Sequence, residues 1–501
     1  MKERIKSGLS LVLVAGTLVA VLAYGLARAY SITRVHFELF EGIFSYLFLA
    51  AELFVLFHAG GFFIAIVAEQ LHGDDPPAAG PGPDASVAII IPARHEPKQV
   101  IESTLLTCLN MDYRNRSVYL LDDSSIESYK QEARELAEAY GVRLFTRDGN
   151  RGAKAGLIND VLAGLQEKYV AIFDADQNPM PMFLDKVLPF LEGDPKLAFV
   201  QTPQFYSNTD VSRVAKISHA QQAVFFEYVC EGKSSREAMF CCGTNVVLRR
   251  SALEDIGGFD EGSVTEDVAT SLKLHLRQWR SLYYNKAYTF GMAPEDLGAY
   301  FTQQNRWAMG SIQLFRKLMG IFFTNFRALK IHQWLEYLLT STYYFVGWAY
   351  LFLLTGPILY IFFGIPWFFM DPEVYVLTYM PYITLSLILF YSSMKARQYG
   401  NRDMFRAQML TMITIPVFIR ASVLALLNIR KGFQVTPKHG SKEMPYTLLT
   451  AQLVLWGLHI SALTWGLLRL YYEHSPAVAM NVLWVFLHCV IFSSVFYFNS
   501  K

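Results

Sequence analysis

Acidic residues in this chain recur directly behind short apolar runs, and that placement is where chemistry can start. Asp122 and Asp123 follow VYLL (118–121), and Asp174-Ala175-Asp176 follows YVAIF (169–173). If both runs are strands of one parallel sheet, both acidic groups emerge at its carboxyl edge and converge on one site. In a D-x-D element one carboxylate can hold a divalent cation while the other meets a sugar or ribose. The cation then neutralises charge that builds on a departing diphosphate. Taken alone, such carboxylates serve equally well as caps for the following helices. They are not alone. Thr265-Glu266-Asp267 opens the amphipathic stretch VATSLKLHLRQW, and Gln303-Gln304-Asn305-Arg306-Trp307 follows it. A helix N-terminus holds an acid there low unless burial raises it. Arg306 can fork onto phosphate oxygens and Trp307 offers a flat face to a sugar ring. By itself, QQNRW also suits an interfacial helix anchored at headgroup depth.

The elements that must position these residues are legible from periodicity. SVAIII (86–91), VYLL, VRLFT (142–146), YVAIF and LAFVQ (197–201) read as strands, with helical patterns at about 98–110, 127–140 and 153–166 between them. Strand and helix in alternation predict a doubly wound, mainly parallel α/β sheet. Around it, apolar stretches at 8–28, 44–68, 336–363, 374–393, 447–470 and 478–498 approach the roughly 20 residues that cross a bilayer. Six spans are therefore predicted, the first retained rather than cleaved. Two lie in 1–71, a Pro/Gly linker occupies 72–86, the α/β domain runs over 87–330, and four spans follow in 331–501. Arg406, Arg420 and Pro416 interrupt the apolar segment 404–429, which predicts a helix lying at the interface.

Lys2, Arg4 and Lys6 before the first span, and Lys395, Arg397, Arg402 and Arg406 after the fourth, put the α/β domain on the cytoplasmic face of an inner (plasma) membrane. Composition agrees: 53% of residues are hydrophobic and 17% charged. A net charge of +1 without a basic cluster excludes a nucleic-acid partner. The five cysteines form no CxxC pair and no zinc spacing, which fits a reduced compartment. Glu52 and His58 fall inside the second span, where they line a path or bond between helices.

In order, DD, DAD, TED and QQNRW resemble the D, DxD, TED, QxxRW pattern of the cellulose-synthase-type processive family 2 glycosyltransferases. FCCGT (240–244) is similar to that family's FFCGS segment, GMAPEDL (291–297) to its stretch before QxxRW, and FQVTPK (433–438) to its FxVTxK gating loop. The resemblance covers about 86–440 and the flanking spans. It implies a GT-A-like domain between transmembrane helices and an inverting transferase. That enzyme would take a UDP-hexose, UDP-glucose foremost, with Mg²⁺ or Mn²⁺, extend a polysaccharide acceptor into a β-linked glucan, and pass it across the bilayer.

Residue by residue, the resemblance implies that Asp122, or its neighbour Asp123, contacts the nucleotide together with Glu96. Lys154, in NRGAKAGLIN, lies near the phosphates, and Asp174 and Asp176 form the diphosphate–metal element. Asp267 is the general base, with Glu266 beside it. Arg306 meets the diphosphate, while Cys242, Gln303 and Trp307 meet the acceptor. Thr436 and Lys438 belong to a gating loop (431–442) that closes over the nucleotide. One departure is PARHE (92–96), where only Glu96 keeps the family's residue. Another is the lack, after Lys438, of room for a PilZ-type regulatory domain, which leaves an accessory or regulatory subunit open as a partner. Alternatives are a non-processive transferase acting on a lipid carrier and a hyaluronan- or chitin-type synthase using UDP-GlcNAc. From another class, a transporter with a sensing domain remains a rival.

Overall fold

A computed structural model describes residues 2–71, 84–149, 151–366, 368–429 and 442–500. The five expected strands are present as β1 (Val87–Ala93), β2 (Arg116–Asp122), β3 (Arg143–Thr146), β4 (Tyr169–Ile172) and, after the two-residue β5 (Asn178–Pro179), β6 (Leu197–Gln201). β7 (Phe205–Tyr206), β8 (Val246–Arg249), β9 (Arg280–Tyr283) and β10 (Thr289–Gly291) complete the set. The main sheet has the order β3-β2-β1-β4-β8-β6-β9. β1 is an unbroken apolar run because both its faces are covered. Ile89 and Ile91 cluster with Ile101 and Leu105 of the helix Lys98–Leu109, while Ala88 and Ile90 cluster with Leu157 and Ile158 of the helix Ala153–Leu162. That alternation is the period of two expected of a strand between two layers.

The sheet is mixed. β8 runs antiparallel to both β4 and β6, a reversal that the repeating strand–helix pattern does not announce. It matters for the site: because β8 is reversed, the segment entering it (240–245) arrives at the carboxyl end of β4, with Ile172 paired to Val246. A small second sheet, β5-β10-β7, binds the residues after Asp176 to those around Gly291 and Tyr206.

Among the described residues, six helices are long and apolar enough to cross a membrane: Leu11–Ile32, Leu39–Ala68, Ile331–Phe363, Pro372–Ala396, Tyr446–Glu473 and Pro476–Asn499. The third starts earlier than its apolar stretch, and a 3-10 turn at Tyr343–Phe345 divides it. Its first part, Ile331–Thr342, is amphipathic and docks on the α/β domain. There Glu336 takes Lys233 at 2.9 Å and also pairs with Arg236, and the Tyr337 hydroxyl meets His275 Nδ1 at 2.6 Å.

The segment expected at the interface is two helices, Asn401–Ile413 and Ile415–Leu426, bent by 45°. Pro416 sits in the first turn of the second helix, where its missing N–H costs nothing. At 1.5 Å per residue each half reaches about 18–20 Å, short of the ~30 Å hydrocarbon core. Within the bundle, Glu52 pairs with Arg28 at 2.7 Å and accepts from the Tyr24 hydroxyl at 2.6 Å, and His58 Nε2 lies 3.2 Å from Thr342 Oγ1.

Candidate active site

At the ends of β1, β2 and β3 the backbone itself gathers charge. Ala93 pairs with Asp122, and the Asp123 N–H donates to the Ala93 carbonyl at 3.0 Å. Arg147 emerges one residue after β3 and grips Asp123 with two bonds, Nε to Oδ1 at 2.9 Å and Nη2 to Oδ2 at 3.2 Å. Arg94 adds a third at 3.4 Å. Asp122 is different: its Oδ1 accepts from the Ser124 N–H at 3.2 Å, while its buried Oδ2 has no partner among the described residues. His95 adopts a positive φ of 60° and locks the loop, its N–H donating to Ser124 Oγ and its Nε2 accepting from the Ser125 N–H. Glu96 accepts from the Arg94 N–H.

Two strands further along, β4 delivers Asp174. Its N–H donates to Thr244 Oγ1 at 2.8 Å, so the FCCGT segment is stitched to the DAD element. Gln201, at the end of β6, holds the same segment by accepting from the Cys242 N–H and donating to the Thr244 carbonyl, each at 2.8 Å. Lys154 bonds the Asp174 carboxylate and donates to the Gly243 carbonyl at 2.7 Å. Burial alone would lower the Lys154 ammonium, but Asp174 and then Glu266 outweigh it and hold the ammonium above its ordinary value. Gly243, at φ 81°, leaves room that a side chain would take: a Cβ there would stand 3.0 Å from Asp267 Oδ2.

Glu266 and Asp267 open the helix Glu266–Leu276. The contest between helix terminus and burial goes to burial, which pushes Asp267 up to about 7 with Glu266 adding to it, against the Val268 N–H, Lys154 and Arg306. Burial raises Glu266 as well, with Lys154 and Arg306 opposing. The TED helix is fitted against the helix Leu297–Thr324 that carries QQNRW. A Cβ at Gly310 would lie 2.1 to 2.7 Å from the Thr265 side chain, so only glycine permits this approach. Gln303, Arg306 and Trp307 fall at i, i+3 and i+4 on one face of that helix, with Trp307 half-buried. Gln303 bonds the Tyr206 hydroxyl, which burial raises and which also feels Asp176 and Arg306.

The structure thus brings Lys154, Asp174, Glu266, Asp267 and Arg306 within electrostatic reach of one another, with Cys242 and Gly243 between them and Asp176 and Gln303 joined through Tyr206. Asp122 and Asp123 stand two strands away, about 10 Å at the usual strand spacing. Thr436, Lys438 and nearly all of the 431–442 loop lie outside the described residues; of that loop, the Lys442 N–H bonds Asp296 Oδ2 at 3.3 Å. Arg147, Gln201, Thr244 and Tyr206 were not singled out from sequence. Arg147 could have been, by the rule that found the acids, since it directly follows a strand.

Among the described residues no three His, Cys, Asp or Glu side chains cluster in a way that could hold a metal. Asp174 and Asp176 nevertheless fit a Mg²⁺-like cation, which commonly takes one or two carboxylates and completes its shell with substrate phosphates and water. Lys154 already places positive charge on Asp174.

The profile described as "Glycosyltransferase like family 2" matches residues 83–310, and that described as "Cellulose synthase" matches 254–449. A cellulose synthase catalytic subunit of Pseudomonas fluorescens is 30% identical over 82% of this chain and 56% of its own length. The cellulose synthase 1 catalytic subunit of Komagataeibacter xylinus is 28% identical over 91% of this chain and 62% of its own. Cellulose synthase 2 of Novacetimonas hansenii is 30% identical over 81% of this chain but only 26% of its own length. The chain therefore spans between about a quarter and three-fifths of these relatives. Among solved structures, a mannosyltransferase from Pyrobaculum calidifontis in complex with GDP-Man and Mn²⁺ shares the fold, with a TM-score of 0.54 at 19% identity over 77% of this chain and all of its own.

The two profiles overlap at 254–310, where TED and QQNRW meet, so one class accounts for both halves: a GT-A-like glycosyltransferase domain joined to helices long and apolar enough to cross a membrane. Within that class, the chain is similar to the cellulose-synthase-type family 2 glycosyltransferases.

Proposed function

We propose that this enzyme polymerises UDP-glucose into a β-linked glucan, with inversion at each step, and conducts the product through its own spans. The observation that carries the proposal is Asp267: a half-buried carboxylate that its surroundings push up to about 7, within reach of Lys154 and Arg306 and backed by the QQNRW helix. Asp122 Oδ2, unpartnered among the described residues, accepts a nucleobase N–H, since Asp123 is already occupied by Arg147 and Arg94. Lys154 and Arg306 hold diphosphate oxygens, and Asp174 with Asp176 holds Mg²⁺ or Mn²⁺, which when bound stabilises charge on the departing UDP. The terminal sugar of the glucan lies against Trp307, with Cys242 and Gln303 beside it.

Asp267 takes the proton of the acceptor hydroxyl as that oxygen attacks the anomeric carbon from the side opposite the diphosphate. A C–O bond forms there, the C–O bond to UDP breaks, and the proton later passes from Asp267 to water. A base near neutrality is well matched to this step. The loop with Thr436 and Lys438 closes over the donor and keeps water from the activated sugar.

Translocation is supported by aromatic rings shared among the spans. Tyr24 stacks on Tyr382 at 5.3 Å, Tyr375 on Tyr379 at 4.8 Å, and Trp484 lies 6.5 Å from Tyr379. Such faces suit sugar rings. The basic loops support a cytoplasmic catalytic domain in the inner membrane.

Purified full-length protein, incubated with UDP-glucose or UDP-GlcNAc and either Mg²⁺ or Mn²⁺, is expected to form an alkali-insoluble β-glucan from UDP-glucose alone. Products one sugar long, or polymer from UDP-GlcNAc, would overturn the assignment.

A further inference from the structure

A cavity lies away from the carboxylates of the candidate active site. It measures about 310 Å³ and is built by three distant stretches: the loop after β6 (Pro203, Phe205), the loop between β9 and β10 (Asn285–Ala287), and the turn that ends the fourth span (Ala396–Gln398). Its size falls at the lower end of small-molecule sites. One wall is Glu227, carried by a π-helical turn, Phe225–Val229, in the helix system that runs along the second span. Such turns are rare and concentrate where a side chain must be re-aimed for function.

The polar groups around this cavity are pre-set. Asn285 Nδ2 donates to Glu227 Oε2 at 3.0 Å and to Glu231 Oε1 at 2.6 Å, while Arg397 reaches Glu231 at 3.0 Å and Glu227 at 3.5 Å. Lys286 stands exposed at the rim. The lining carries one carboxylate, one guanidinium and one ammonium, and Glu231 behind it, bonded to Asn285 and Arg397, brings the net charge to zero. That balance disfavours a phosphate or an anionic headgroup and suits an uncharged ligand. What remains is a set of planar hydrogen-bonding groups, Glu227, Asn285, Arg397 and Gln398, beside the ring of Phe205. Planar donors and acceptors next to an aromatic ring suit hydroxyl-rich sugars.

We infer that this cavity is a second carbohydrate-binding site, for a neutral oligosaccharide of one or two rings, distinct from the acceptor position at Trp307. Its occupant touches the catalytic domain and the membrane bundle together. It also borders the acceptor segment: Gln204, between the lining residues Pro203 and Phe205, donates to the Cys242 carbonyl at 3.5 Å.

Binding here needs no donor turnover, so its failure is separable from failure of the proposed synthase activity. The test is calorimetric titration of full-length Trp307→Ala protein, in phosphatidylcholine nanodiscs, with glucose and with β-linked glucose oligomers of two to four units. Saturable binding is expected, weakened about tenfold or more by Glu227→Gln, as loss of a charged hydrogen-bond partner predicts. Lys286→Ala, a surface change that does not threaten folding, should weaken it in the same direction, with UDP affinity unchanged in both variants. No saturable binding in the Trp307→Ala background would overturn the inference, as would binding that ignores both substitutions. Tighter binding of inorganic phosphate, or loss of binding when phosphatidylglycerol is added to the nanodisc, would identify an anion site and overturn it equally.

Discussion

Two adjacent pairs of acids stand at one edge of the same sheet in opposite surroundings. Asp123 is held by two guanidinium groups, Arg147 and Arg94, while its neighbour Asp122 keeps one oxygen buried and unpartnered among the described residues. Glu266 and Asp267 share the reach of Lys154, which is itself bonded to Asp174, and burial raises both. The side-chain chemistry is nearly identical, yet one pair is organised to accept hydrogen bonds and the other to accept a proton. Environment, rather than residue type, separates binder from base.

Asp267→Asn strikes this contrast hardest. It keeps size and position but cannot take a proton, so polymer formation should fall by about 10²–10⁴-fold while UDP still binds. Incorporation of labelled glucose, beside a UDP titration, checks both; an active Asn variant would remove the base from the TED helix. Next comes Asp174→Asn, which takes away a carboxylate of the proposed cation site and the main partner of Lys154. A loss of about 10²-fold in kcat/KM is expected, together with loss of any stimulation by divalent cation. Smaller again is Arg147→Ala. It frees Asp123 beside Asp122, so the donor KM should rise about tenfold with kcat little changed. If kcat fell and KM held, the paired acid would belong with the base rather than with the binder.

How much of this was legible follows from what sequence encodes locally. Asp122 and Asp174 were found because each directly follows an apolar run, and a parallel sheet sends such residues to one edge. Helices expected at 98–110 and 127–140 are found at Lys98–Leu109 and Glu127–Tyr140. β8 was not foreseen, since strand direction is set by which neighbours a strand pairs with, and VVLR reads the same either way. Nor could sequence decide the state of Asp267: terminus and burial pull against each other, and burial depends on Gly310 admitting Thr265. The third span began early for a related reason. Gln333 and Glu336 look too polar for a bilayer, and they are satisfied instead by Glu237 and Lys233 of the α/β domain.

Glu266→Gln probes the contrast with the smallest expected effect and the clearest sign. Burial is the larger cause of the raised Asp267 and the Glu266 charge the second, so the substitution removes one and leaves the other. Asp267 should then ionise at lower pH, and the ascending limb of rate against pH, expected near 7 in the parent, should move toward acid. Stability carries the same sign. A carboxylate whose folded pKa lies above its unfolded value, about 3.9 for Asp, stabilises fully only below that value, and the stability is lost as pH rises toward about 7. Relief of the Glu266–Asp267 repulsion should therefore raise the apparent melting temperature at pH 8 by about 2–4 °C, the equivalent of ~1 kcal/mol, with the gap closing near pH 4. Superimposable pH–rate limbs would mean that Glu266 does not tune Asp267, and the difference between the two acid pairs would reduce to burial alone.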